Sequence, residues 1–204
     1  MLLVHGLGAD RSGLTTMERN LHAAGYTVHN VSYSYVGTDV QRCAANLERE
    51  AAWLLDETGA DRLHVVAHSL GGIVLRWAVA HTHMREWVHV AVTLGSPHRG
   101  TPLALLAPSG LPGFGTIVRQ LRPGLLRFDD GGLGARTVRW VAVSGQHDWV
   151  VPPRYAELPT AANVRNVLAP GVGHMGMTTS RHCLQIILEE LAAVSRVSGC
   201  RAAA

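Results

Sequence analysis

Leu63-His64-Val65-Val66-Ala67-His68-Ser69-Leu70-Gly71-Gly72 is the segment on which the fold turns. Leu63 to Ala67 is an apolar run of strand length. After Ser69 the spacing becomes helical, with Ile73, Val74, Trp77 and Ala78 along the following stretch. A serine between a strand and a helix, with small residues two positions to either side, has the pattern of a nucleophile elbow, G-x-S-x-G. Ala67 stands here where that pattern has its first Gly, and Gly71 supplies the second. The small residues let strand and helix approach closely while the turn is strained. The Ser69 hydroxyl then projects at a helix N-terminus. The Leu70 N–H lies in a first turn whose donors lack intrahelical partners, so it is free to bind an oxyanion. The plainer alternative is that Ser69 only caps the helix, as serine often does.

Outward from this segment, short apolar runs alternate with helical patterns. The runs are Leu2 to Val4, Val28 to Tyr33, Leu63 to Ala67, Val88 to Leu94, Val138 to Val143 and Val164 to Leu168. They are continuous rather than alternating, as in parallel strands buried on both faces. Helices are predicted over roughly Leu14 to Ala24, and over the stretch carrying Val40, Ala44, Leu47, Ala51, Leu54 and Leu55. Thr38 with Gln41 reads as a capping box for the second of these and Gly59 as its stop. Another follows Leu70, and a last carries Leu184, Ile187, Leu188, Leu191 and Val194. The expectation is one α/β domain over residues 1–204, with a mostly parallel sheet of about six strands flanked by helices. Residues 95–136 break the rhythm with many Gly and Pro, and such a long connection is usually functional. They are expected to form a cap-like or lid-like insertion near the site, with a short helix over Thr116 to Leu121.

Composition narrows the function. The chain has 204 residues, 47% of them hydrophobic and 16% charged. That is apolar enough for a core, and no run approaches the roughly 18 apolar residues of a membrane span. All 18 basic residues are Arg, scattered with no basic run, so the formal charge of +3 is not read as a nucleic-acid surface. Cys43, Cys183 and Cys200 form no CxxC. Buried, idle thiols are the preferred reading, with a single bridge such as Cys183 to Cys200 left open. His81, His83 and His89 are spaced two and six residues apart. Residues two apart on a helix do not share a face, so no metal site is expected. No nucleotide-binding glycine motif occurs. Met1-Leu2-Leu3-Val4-His5-Gly6 lacks a basic region followed by an apolar one, so no signal peptide is read. The default location is the cytoplasm, with secretion left open to a trimmed N terminus.

A serine nucleophile needs a base, and the base needs an orienter, in the chain order Ser, acid, His. His174 stands in the Gly-rich loop Pro170-Gly171-Val172-Gly173-His174-Met175, after a strand and before the last helix. His182 falls inside that helix. Asp148 follows the strand ending at Val143, and its rivals are Asp129, Asp130 and Glu157. Ser69, Asp148 and His174 all fall at carboxyl ends of strands, where open α/β sheets bind ligands. The turn His5-Gly6-Leu7-Gly8 places the Leu7 N–H as a second oxyanion donor, with Gly6 permitting the tight turn. A simple strand-to-helix turn is the alternative. Leu7, Leu70, Leu103, Val150, Val151 and Met175 are expected to line an apolar acyl pocket, capped by Leu105, Leu106, Leu111, Phe114 and Ile117. The competing reading is that these residues are core. His98 begins the insertion and shapes either the pocket rim or a turn.

With these residues in place the chain resembles the α/β-hydrolase superfamily, and within it the small bacterial lipases and esterases. The resemblance rests on His5-Gly6-Leu7-Gly8, Ala67-His68-Ser69-Leu70-Gly71-Gly72, Leu94-Gly95-Ser96-Pro97-His98-Arg99-Gly100-Thr101, Asp148 and Gly173-His174. The segment from Gly95 looks like the lipase stretch GTPHxGT, with Ser96 where Thr is common. The resemblance implies hydrolysis of a carboxylic ester through an acyl-enzyme, with no metal or organic cofactor. Its roles are Ser69 as nucleophile, His174 as base, Asp148 as orienter, and the Leu7 and Leu70 N–H groups as oxyanion hole. It further implies a small-molecule or lipid ester substrate, a part in lipid metabolism, and transient contact with a lipid interface. Larger members carry two strands ahead of the first HG turn. None is read here, so a minimal version or a trimmed chain is expected. Thioesterase, amidase and acyltransferase chemistry use the same residues and stay open, as does a non-catalytic binding protein of the same fold.

Overall fold

Short apolar runs become strands here because both faces of the sheet are covered. The computed structural model describes residues 1–107, 115–125, 128, 133 and 137–198, the side chains of 195–198 excepted. Its strands are β1 (Leu2–Val4), β2 (His29–Val31), β3 (Leu63–His68), β4 (Val88–Leu94), β5 (Arg139–Gly145) and β6 (Val164–Ala169). Its helices are α1 (Thr15–Ala23), α2 (Val40–Thr58), α3 (Leu70–His81), α4 (Met84–Trp87), α5 (Leu103–Leu106), α6 (Gly115–Gln120), α7 (Pro153–Ala156) and α8 (Arg181–Ser198). One-turn 3₁₀ segments cover Arg11–Leu14 and Met175–Thr178.

The strands pair in the order β2-β1-β3-β4-β5-β6, and every pairing is parallel. Successive side chains of a strand point to opposite faces. Leu2, Val4, Val65, Ala67, Trp140 and Ala142 therefore enter one core with Ala44, Leu47 and Ala51 of α2 and Ile73, Val74 and Leu75 of α3. Leu3, Val66, Val92 and Val143 enter a second core with Met17 and Leu21 of α1 and Cys183, Ile187 and Leu191 of α8. The chain is thus a three-layer α/β domain.

Two details differ from the sequence reading. The N-cap of α2 is Asp39, whose side chain accepts from the Arg42 N–H at 2.8 Å, rather than Thr38. A carboxylate one residue nearer the helix reaches the same first-turn donors and also suits the positive end of the helix dipole. Gly59 does stop α2, at φ 63. β2 is three residues long, half the expected run. The backbone past Val31 leaves the sheet as Tyr33 turns in to hydrogen-bond the His5 carbonyl. The insertion includes α5 and α6, while Leu111, Phe114, Asp129 and Asp130 lie outside the described residues. Cys43 and Cys183 are buried free thiols, and Cys200 too lies outside the described residues. Burial raises the Cys43 thiol to about 11.

One ion cluster staples α8 to the sheet edge. The Glu190 carboxylate, 2% exposed, receives Arg139 Nε at 2.6 Å and also Arg165, both of them about half exposed. Removing the carboxylate returns two arginines to water, whereas removing the arginines strands a buried charge. Glu190→Gln should therefore cost about 1–2 kcal/mol, and the Arg139→Ala/Arg165→Ala double variant about 3–5 kcal/mol. Urea unfolding measures both, and the reverse ranking would contradict this account of the cluster.

Candidate active site

The carboxyl ends of β3, β4, β5 and β6 carry the residues that converge. The ladder continues one step past each strand. The Ser69 N–H donates to Leu94 O at 2.9 Å, Gly95 N–H to Val143 O at 2.8 Å, and Gln146 N–H to Ala169 O at 2.9 Å. These bonds line up the three following turns along one edge of the sheet. Ser69 has φ 53 and ψ −122 and is the non-glycine residue with positive φ among those described. Such a conformation costs on the order of 1–3 kcal/mol and persists only where the surroundings impose it.

Close packing explains the small residues around Ser69. A Cβ on Gly71 would stand 2.6 Å from the Val4 carbonyl oxygen. A Cβ on Gly6 would stand 2.8 Å from Ser69 Cβ. Gly6 is needed for this contact. The positive φ of that loop belongs to Gly8, at 74.

Asp148 follows β5 and is 4% exposed. Its Oδ1 accepts from the N–H groups of Val150 at 2.9 Å and Val151 at 2.7 Å. Its Oδ2 lies 2.7 Å from His174 Nδ1. A carboxylate oxygen accepts, so Nδ1 carries the hydrogen and Nε2 of the neutral ring is the acceptor. Nε2 is 3.0 Å from Ser69 Oγ, which donates to it. One hydrogen-bonded path thus runs from the Ser69 hydroxyl through the imidazole to a buried, doubly anchored carboxylate. An array of this kind can take the hydroxyl proton as the oxygen attacks an electrophile.

The remaining predicted residues fall as follows. Leu70 opens α3 and is fully buried, and Leu7 sits partly buried in the turn after β1. Among the described residues neither amide donates to a protein acceptor. Leu103, Val150 and Met175 are exposed by 49%, 37% and 59%. Val151 differs from them. It is 1% exposed and presents its backbone to Asp148 rather than a side chain to an open surface. Glu157 pairs with Arg99 at 3.5 Å, away from His174. The histidines 81, 83 and 89 disperse to three partners: the Trp77 carbonyl, Glu48 and the His64 ring. His98 is buried, with Nε2 3.0 Å from Thr93 Oγ1, and does not reach the triplet.

The sequence reading assigned no role to two residues of this region. Gly95, at φ 56, has little room for a Cβ, which would stand 2.5 Å from Met177 Cε, 3.0 Å from Asp148 Oδ2 and 3.1 Å from His174 Nδ1. His68 places Nε2 3.1 Å from the His174 carbonyl oxygen. No local spacing signals that contact, since the two are 106 residues apart.

A family model described as alpha/beta hydrolase fold matches residues 1–144. The chain is similar to the mature lipase BlEst2 of Bacillus licheniformis, at 21% identity over 93% of this chain and 90% of that one, with a TM-score of 0.81. It is also similar to an esterase of Thermogutta terrifontis, at 18% identity over 95% and 89% of the two chains, TM-score 0.65. A monoacylglycerol lipase of Paleococcus ferrophilus matches at 16% identity over 94% and 93%, TM-score 0.65. Identities this low establish a common fold.

Two outcomes are expected. Gly95→Ala should crowd Met177 and the Asp148–His174 pair and destabilise the chain by about 1–3 kcal/mol, the usual cost of overpacking. A variant as stable as wild type would show that the crowding relaxes. The second concerns pH. Burial, and next the neighbouring His174 imidazole, lower the His68 pKa to about 4. In the unfolded chain histidine titrates near 6.5. The unfolded state therefore binds more protons between those values, and stability falls as pH falls through that interval. At pH 5 the loss from this residue is on the order of 2 kcal/mol. Urea unfolding at pH 7 and pH 5 should show a smaller loss for His68→Gln than for wild type. Equal losses would assign the pH dependence elsewhere.

Proposed function

We propose, since the chain belongs to the alpha/beta hydrolase family, that it is a serine hydrolase cleaving carboxylic esters with hydrophobic acyl chains through an acyl-enzyme. The observation that carries this reading is the hydrogen-bonded path from Ser69 Oγ to His174 to Asp148, starting on a strained elbow. Ser69 Oγ attacks the ester carbonyl while His174 Nε2 takes its proton. Asp148 holds the tautomer and stabilises the imidazolium that forms. The Leu7 and Leu70 N–H groups, which have no acceptor among the described residues, receive the oxyanion of the tetrahedral intermediate. His174 hands the proton to the departing alkoxide, and the alcohol leaves. Water, deprotonated by His174, then hydrolyses the acyl-enzyme and restores Ser69.

The substrate class is argued from exposed apolar side chains beside the triplet. Trp149, next to Asp148, is 89% exposed, and Met175, next to His174, is 59% exposed. Leu103, Leu105 and Leu106 of α5 are also exposed. Thr101, just before α5, hydrogen-bonds the Val150 carbonyl and so ties that segment to the Asp148 loop. Apolar surface here favours a hydrophobic acyl chain and supports transient contact with a lipid interface. On this reading residues 95–136 are the cap of a single domain. No helix among the described residues is long and apolar enough to cross a membrane.

Ser69→Ala should lower turnover by several orders of magnitude while leaving the fold intact. A fluorophosphonate should label Ser69 in the wild type. A folded wild-type chain that does not label would refute the nucleophile and leave a non-catalytic binding protein. A series of p-nitrophenyl esters of increasing acyl length should show kcat/KM rising from acetate toward longer chains. Turnover confined to acyl-thioesters or amides would replace the ester reading with one of those chemistries. Asp148→Asn with near-wild-type rates would remove the acid from its role.

A further inference from the structure

Asp148 orients the His174 ring through its side chain, but the backbone of His174 needs its own restraint. It lies on the irregular segment between β6 and the 3₁₀ turn at Met175–Thr178. Upstream, that segment is tied to the Asp148 loop by the His147 N–H to Val172 O at 3.0 Å and the Gly171 N–H to Gln146 Oε1 at 2.9 Å. Neither bond connects it to β3, where the nucleophile is fixed. His68 supplies that connection.

His68 is the last residue of β3, opposite Leu94 of β4, and adjoins Ser69. Its backbone cannot move without moving the elbow. Its side chain is 3% exposed, and its ring centroid is 4.8 Å from that of His174. A carbonyl oxygen only accepts, so the contact with His174 O requires Nε2 to carry the hydrogen. The ring also lies beside the turn after β1, with Nδ1 3.2 Å from where a Cβ on Gly6 would stand. One imidazole therefore bonds the base segment while its backbone is continuous with the nucleophile.

We propose that His68 is a positioning residue whose Nε2–H, donated to the His174 carbonyl, sets the distance between the base and Ser69. The inference rests on the acyl-transfer reading of the same site. Without the donor the backbone of His174 is released, and the ring's bond to Asp148 loosens with it. The fraction of enzyme with Nε2 within reach of Ser69 Oγ then falls. No substrate contact is lost, so kcat falls and KM does not. Burial keeps the ring neutral, which maintains the lone pair on Nδ1 and the donor on Nε2.

The test compares His68→Phe, which keeps a ring and lacks the donor, with His68→Gln, which offers an N–H at similar reach. Both are assayed on p-nitrophenyl butyrate. His68→Phe should lose about tenfold to hundredfold in kcat, the range for a misplaced catalytic group, with KM near wild type. His68→Gln should recover most of that loss. The downfield proton resonance of the His174 Nδ1–H, read in the resting protein, should broaden or vanish in the Phe variant and persist in the Gln variant. This second readout needs no turnover, and together with the Gln variant it holds even if the Phe chain folds poorly. Wild-type kcat in the Phe variant, equal impairment of both variants at equal stability, or a change confined to KM would each overturn the proposal. Ser69→Ala separates the two levels. If it inactivates the enzyme while His68→Phe is unimpaired, only the role of His68 falls. If it leaves activity unchanged, the acyl-transfer reading falls with it.

Discussion

Ser69 occupies a backbone conformation that a free chain avoids, and the sheet imposes it. Its N–H is bound to Leu94 O, one step beyond the β3–β4 ladder. Its downstream side is packed so closely on β1 that Gly71 has no room for a Cβ. The parallel ladder and the close helix–strand contact over-determine one residue. The result is a hydroxyl held clear of the surrounding backbone at the start of α3. Everything else at this edge of the sheet is placed relative to that point.

Rigidity at the elbow would achieve little if its partners were loose. Asp148 is held by two backbone N–H groups on one oxygen and the imidazole on the other, so its carboxylate has one orientation. The turns that carry Ser69, Gly95 and Gln146 each continue the hydrogen bonding of the strand before them. The turns that hold Ser69 and lead into the Asp148 loop are therefore pinned directly to strand ends. The two cores pack α2 and α3 on one face of the strands and α1 and α8 on the other.

The turn after β1 is anchored from the neighbouring segment. Tyr33 Oη donates to His5 O at 2.6 Å, and its ring stacks on that of His5 at 4.4 Å. Leaving β2 early thus fixes the turn that holds Leu7. The short strand and the anchored turn have one cause: the Tyr33 hydroxyl is buried and must find an acceptor.

The fold and the three convergent side chains were legible in the sequence because each carries a local signal. Apolar runs of strand length marked a doubly covered parallel sheet. The small residues flanking Ser69 marked an elbow, and Asp148 and His174 stood in turns directly after strands. Alternation and spacing operate over a few residues, so one chain suffices to read them. What only the tertiary structure decided is what depends on residues far apart in the chain. His68 meets the His174 carbonyl across 106 residues, Gly95 lies against a pair more than fifty positions away, and Gly6 is glycine because of Ser69 rather than because of its own φ. Val151 likewise proved to be a backbone donor buried beneath the acid, a role its apolar side chain could not announce. Contacts of this kind leave no periodicity in a sequence, since they are set by where folded segments meet.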